Sequence, residues 1–329
     1  MRADERAQVL SSAVARFEFG IQIEPQFGFT YRDVLDIARD AEAAGFTSLW
    51  LSDHLFLNAD AVATNCLEAW TLLAALAQST TRLRLGTLVT CQSYRNPALL
   101  AKIAAGLDHM SDGRLEFGIG AGWKEVEYRA YGYEFPPPGT RIAQLVDTIE
   151  ICRRMWTEER ATYRGTHYRI DDALCAPKPV QRPHPRIWVA GSKPRLLRVV
   201  ARYADAVNVG GFPTEERYAA AMAELETACR EVGRDPRTIL RSHFGPIYVG
   251  ETQEAVHRVV DDVAARAKTT RSEWLRARPR LVIGTPEQVV ERLRAYAAAG
   301  VQYFIPLFPY RYEREMLRVL AERVIPALS

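Results

Sequence analysis

Strand-length apolar runs alternate with amphipathic helical segments along almost the whole 329-residue chain, and that rhythm leaves few architectures open. The runs fall at residues 17–23, 48–52, 84–89, 115–121, 186–190, 206–209, 240–249 and 303–307. Helices are predicted between them at 31–44, 67–78, from Pro97, at 141–156, from Pro194, at 215–232, from Glu254 and at 286–299, with 312–323 closing the chain. Pro97 and Pro194 suit a first helical turn, where the missing N–H has no partner to lose. Gly45 and Gly300 stand where a left-handed residue ends a helix. The runs are nearly continuous in apolar residues, as strands buried on both faces should be. This alternation admits an open doubly wound sheet or a closed barrel, and eight strands over this length favour a (β/α)8 TIM barrel.

One barrel domain is expected, with an N-terminal extension at 1–16 and insertions near 158–184 and 264–282. In the first insertion, residues 161–170 place Gly165 between two β-rich arms and read as a small hairpin. The second is basic and irregular, and reads as a mobile insertion or lid.

Composition excludes several classes. Net charge is only +3, with both signs interspersed, so nucleic acid is not an expected partner. Five scattered cysteines without a C-x-x-C pair argue against a disulfide framework or structural zinc, and for a reducing compartment. No stretch approaches the roughly 20 apolar residues of a membrane span, and the first 20 residues lack a secretory apolar core. A cytoplasmic protein with a small-molecule substrate is expected.

Barrel enzymes carry their chemistry at the C-terminal strand ends. That rule selects Ser52, Asp53 and His54 after the second strand, and Thr90 to Gln92 with Tyr94 to Asn96 after the third. It selects Gly120, Ala121, Gly122 and Trp123 after the fourth, with Glu127 and Tyr128 a turn on. Gly191 to Lys193 follow the fifth, Asn208, Gly210 and Gly211 the sixth, and His243 lies near the seventh. His54 reads either as a general acid or base, since histidine titrates near neutrality, or as a loop residue bonded to backbone. The glycines at 118, 120 and 122 read as room for a flat ring with Trp123 as its wall, or as packing glycines beside a core Trp. Ala190 to Pro194 reads as an anion site at a helix N-terminus, or as a helix capped by Ser192. No H-E-x-x-H or G-x-S-x-G motif appears, so neither a zinc hydrolase nor an α/β-hydrolase site is expected, and no metal is assigned.

Taken together, Leu51-Ser-Asp-His54, Leu85 to Thr90 with Tyr94-Arg-Asn-Pro97, Met110 to Arg114, Gly118 to Trp123 with Glu127-Tyr128 and Ala130-Tyr-Gly132, Trp188 to Ser192 and Gly284 to Gln288 resemble the luciferase-like superfamily of flavin and F420 enzymes. The resemblance runs from Phe19 to about Leu320, and its F420 branch is the nearer. It implies F420 as cofactor, with FMN the alternative, and a homodimer. His54 would handle a proton near the reactive ring. Thr87, Leu88, Val89 and Thr90 would form a bulged strand end, often with a non-proline cis peptide in this family. Gly120, Ala121, Gly122 and Trp123 would border the ring, and Gly191 with Ser192 would hold the cofactor phosphate. Asp53, Ala190 and Asn208 complete the implied cofactor-binding set.

Two departures stand out. Cys91 replaces the family's usual proline after Thr90. Trp123 and Asn58 replace a Glu and a Trp of the sugar-phosphate dehydrogenases, so no sugar phosphate is expected as substrate. The function implied is hydride transfer between F420 and a small organic substrate. The rivals are an FMN-dependent monooxygenase and a non-catalytic flavin-binding barrel. Specificity would come from loops 56–65, 133–138 and 269–280, whose aromatic content points to an apolar or aromatic substrate.

Overall fold

The structure, a computed structural model, describes residues 17–328. The extension predicted at 1–16 lies outside the described residues. The strands are β1 Glu18–Ile23, β2 Ser48–Leu51, β3 Arg84–Thr87, β4 Thr90–Cys91, β5 Leu115–Gly120, β6 Ala161–Arg164, β7 Arg169–Ala173, β8 Arg186–Ala190, β9 Ala206–Val209, β10 Leu240–Val249, β11 Val282–Gly284 and β12 Tyr303–Leu307. Eight of them close a parallel ring in the order β1-β2-β3-β5-β8-β9-β10-β12, and β12 returns to β1 through the Phe19–Phe304 pair. Helices cover the outside, so the predicted (β/α)8 barrel is the fold.

Local chemistry sets many of the element ends. Thr30 and Asp33 form a reciprocal capping box at the start of helix Tyr31–Ala43, and Gly45 follows its end at φ +81°. Proline opens helices Pro97–Met110, Pro194–Tyr203 and Pro286–Ala298 as expected. Helix Pro138–Thr157 starts a turn earlier than the sequence pattern, again at a proline.

The barrel interior is filled at one level by Trp50, Trp188 and Tyr303, with ring centroids 4.7 Å and 5.4 Å apart in succession. The flanking strands make space for this plug. A Cβ on Gly86 would lie 2.7 Å from the Trp50 ring, and one on Gly20 would lie 2.8 Å from its indole nitrogen. Glu116 accepts from the Trp188 indole at 2.5 Å and pairs with Arg84, so the buried carboxylate is compensated.

Both insertions take definite shapes. The hairpin β6–β7 is present, and buried Asp147 pins its tip by accepting from Tyr163 Oη at 2.9 Å, His167 N at 2.6 Å and Tyr168 N at 3.1 Å. The region 264–282 is not irregular, contrary to expectation. Helix Gln253–Arg266 runs into it, helix Arg271–Arg276 follows, and Trp274 is buried against Tyr248 at 5.5 Å. Trp274, with Ala264 and Leu281, docks a segment rich in basic residues. No helix among the described residues is long and apolar enough to cross a membrane.

Candidate active site

A cavity of about 750 Å3 opens at the C-terminal ends of the strands. Of the sequence-predicted residues, Asp53, His54, Leu88, Val89, Thr90, Gly120, Ala121, Gly122, Trp123, Ala190, Gly191 and Asn208 line it. Thr87 and Ser192 do not. Thr87 is fully buried behind the wall, where its hydroxyl meets Thr90 Oγ1 at 2.6 Å and donates to Gly118 O at 2.9 Å. Ser192 is exposed beside the cavity, and the helix cap falls on Lys193, which makes no side-chain cap bond. The first-turn N–H groups of helix Pro194–Tyr203 therefore have no capping side chain, next to Gly191 and Leu196 of the lining.

The third strand ends in a bulge. Its register with β5 is Leu85↔Leu115 before the bulge and Thr90↔Ile119 after it, so one extra residue enters on the β3 side. The Leu88–Val89 peptide within it is cis, and both side chains line the cavity.

The glycines opposite make room for this bulge, and Gly120 and Gly122 also border the cavity. A Cβ on Gly118 would sit 1.9 Å from Thr87 O, and one on Gly120 would sit 2.7 Å from Val89 Cγ2. Gly122, at φ +76°, leaves space taken by Tyr128 Oη. Trp123 is no core residue. It is 72 % exposed and meets the His54 ring edge-on at 5.6 Å.

Cys91 has a role that proline could not fill. Its N–H donates to Asp53 Oδ2 at 2.9 Å, and proline has no such donor. Arg95 grips both oxygens of Asp53 at 2.7 and 2.8 Å and also pairs with Glu68. Burial lifts the Asp53 carboxyl above the usual carboxylate range, while the Arg95 fork and the Cys91 N–H pull against it. Asp53 borders the cavity with both oxygens engaged, tying the second strand end to the third.

His54 is not a backbone-bonded loop residue. Its Nδ1 lies 2.9 Å from Glu127 Oε2, a carboxylate buried in the short helix Glu125–Ala130. Glu127 also accepts from Tyr94 Oη at 2.8 Å, Leu55 N at 2.9 Å, Phe56 N at 3.3 Å and Lys124 Nζ at 3.0 Å. Burial works against its charge, but the His54 hydrogen bond and charge, the Leu55 N–H and Lys124 outweigh it and hold the carboxyl at about 2. An ionised carboxylate can only accept, so His54 Nδ1 carries the hydrogen and Nε2 is left for a ligand. Lys124 completes its set with Phe56 O and Leu57 O, the latter at 2.9 Å, and offers no free amine for Schiff-base chemistry.

Other residues of the site were not singled out from the sequence. Glu24 and Gln26, just past β1, line the cavity and join Ser52 in a buried chain, Ser52 Oγ donating to Gln26 Oε1 at 2.8 Å. Phe212, Phe244 and Leu307 form an apolar side. His243 faces away, against Tyr296 at 4.3 Å, and takes no part in the cavity.

A family model described as luciferase-like monooxygenase matches residues 10–303. This chain belongs to that family. It is 30% identical over 327 residues to an F420-dependent glucose-6-phosphate dehydrogenase of Intrasporangium calvum, covering 92% of this chain and 96% of that one. It is 31% identical over 245 residues to a phthiodiolone/phenolphthiodiolone dimycocerosates ketoreductase of Mycobacterium kansasii, covering 69% of this chain and 66% of the relative. Among solved structures, an F420-dependent secondary alcohol dehydrogenase in complex with an F420-acetone adduct superposes with a TM-score of 0.78 at 21% identity, over 95% of this chain and 99% of the other.

Proposed function

We propose that this protein is an F420-dependent oxidoreductase that transfers a hydride to or from a small organic substrate, with His54 handling the accompanying proton. One observation carries the reading. The His54–Glu127 pair, the Leu88–Val89 bulge and the uncapped helix N-terminus at Pro194 border one cavity. A volume of about 750 Å3 lies within the roughly 300–1,000 Å3 of small-molecule and cofactor sites. The names of the relatives favour F420, and the family description as monooxygenases keeps FMN as the second candidate cofactor.

The residues present fit a deazaflavin. Leu88 and Val89 offer an apolar platform for a flat ring, with Thr90, Gly120, Ala121, Gly122 and exposed Trp123 beside it. Ala190, Gly191 and Asn208 lead to the helix N-terminus, whose positive dipole end suits a phosphate, and Ser192 at the rim can add a hydroxyl. When bound, F420 supplies two-electron hydride chemistry. The protein does the rest. His54 Nε2 donates or receives the proton, and Glu127 fixes the ring tautomer and stabilises an imidazolium. Phe212, Phe244 and Leu307 exclude water from the substrate side. The expected working form is a homodimer in a reducing, cytoplasmic compartment.

The test loads the protein with reduced F420, mixes it with a panel of small ketones and follows the return of the oxidised cofactor's absorbance. His54→Ala should slow that step by about 10²–10⁴-fold while changing F420 affinity little, because the lost interaction acts in the transition state. An unchanged rate would remove His54 from the chemistry.

A further inference from the structure

A second cavity of about 510 Å3 adjoins the first, and Phe212 and Leu307 line both. Its position follows from the path of β10. Residues Ser242 to Pro246 pair with β12 inside the ring, whereas Ile247 to Val249 pair with β11 outside it. The last barrel pair before the strand departs is Pro246↔Leu307, and both residues line the second cavity. The ring therefore parts at this seam, and the slot fills the gap.

Its other walls are mostly apolar. Tyr248 and Trp274 stack at 5.5 Å and 29°, Leu281 adjoins them, and the Arg278 guanidinium lies 4.3 Å over the Trp274 ring. Arg280 ties the slot wall to the first cavity by donating to Gly211 O at 3.2 Å. Phe212 stands at the junction with φ +50°, a conformation that bulky side chains seldom adopt. Its ring lies 5.5 Å from that of Phe244.

We propose that this slot is a distal substrate subsite that takes the non-reacting body of an elongated, apolar substrate. The inference rests on the hydride-transfer reading. The reacting group sits beside His54, and an aliphatic or aromatic body passes Phe212 and Leu307 to lie over Tyr248 and Trp274. Apolar walls of this kind gain by excluding water in favour of hydrocarbon. Arg278 and Arg280 in the slot lining disfavour a cationic group there.

The probes are 2-butanone, 2-octanone and 2-dodecanone, titrated by calorimetry into F420-loaded protein and into an Ala277→Trp variant. Ala277 is an exposed residue of the slot wall at the end of helix Arg271–Arg276, so the larger ring obstructs the slot without entering the core. F420 affinity, measured alongside, reports whether the barrel mouth is intact. In the natural protein, affinity should rise about three- to fourfold per methylene from octanone to dodecanone, as for apolar burial generally. In Ala277→Trp that rise should vanish. A rise of equal size in both proteins, or none in the natural one, overturns the proposal. Failure to bind F420 with the slot-dependent rise preserved in the apoprotein would sink the cofactor reading and leave the slot standing.

Discussion

Glu127→Gln puts the most weight on the site's internal logic. The carboxylate is buried, accepts from five donors and is held at about 2, against an ordinary 4.5. That depression corresponds to about 3 kcal/mol of folding stability. Because the folded-state value lies below the unfolded one, this contribution is complete above about pH 4.5 and is lost as pH falls towards 2. The amide removes the charge and leaves part-buried Lys124 without its counter-ion, so a total loss of about 3–5 kcal/mol is expected at neutral pH. For a chain of this size that means a drop in Tm of roughly 5–10 °C. The amide also ceases to enforce Nδ1–H on His54. ¹⁵N NMR of the imidazole should show mixed tautomers, and reoxidation of reduced F420 should slow by about 10²-fold or more. Glu127→Asp keeps the charge and should recover part of both losses. If Glu127→Gln keeps a single Nδ1–H tautomer and a rate within about twofold of the natural protein, Glu127 is not the positioning residue for His54.

Two further outcomes follow from packing and burial. Gly118→Ala places a methyl group 1.9 Å from the Thr87 carbonyl, so thermal unfolding and F420 titration should show lost stability and weaker binding together; normal behaviour in both would disprove the bulge's dependence on this glycine. Burial pushes the His243 imidazole down to about 4, so stability should fall by about 3 kcal/mol as pH drops from 6.5 to 4, where the unfolded chain binds the extra proton. Urea titrations over that range should show a shallower fall in His243→Phe, and an identical fall would assign the acid sensitivity elsewhere.

The barrel was legible because its signals are local. Proline at helix starts, glycine after helix ends and apolar strand runs act within a few residues, and the eight ring strands lie where those signals put them. The missed elements are short: Glu125–Ala130, Arg271–Arg276 and Val282–Gly284 span too few residues to show a period. The site was legible as a set of strand ends but not as a network. Glu127 stands 73 residues from His54, and nothing in either neighbourhood announces the pairing. The packing demand on the glycines is hidden for the same reason, since the atoms that need their space, Thr87 O and Val89 Cγ2, belong to the neighbouring strand end and its bulge. The basic stretch at 264–282 hides buried Trp274, which packs with Ala264 and Leu281 against helix Gln253–Arg266 and Tyr248.

F420 is expected to occupy the cavity above the Leu88–Val89 bulge. The purified protein is titrated with F420 and separately with FMN, following fluorescence. Saturable binding of F420 with much weaker binding of FMN is the predicted result. Preference for FMN would replace the hydride-transfer reading with the monooxygenase, and binding of neither would contradict the claim.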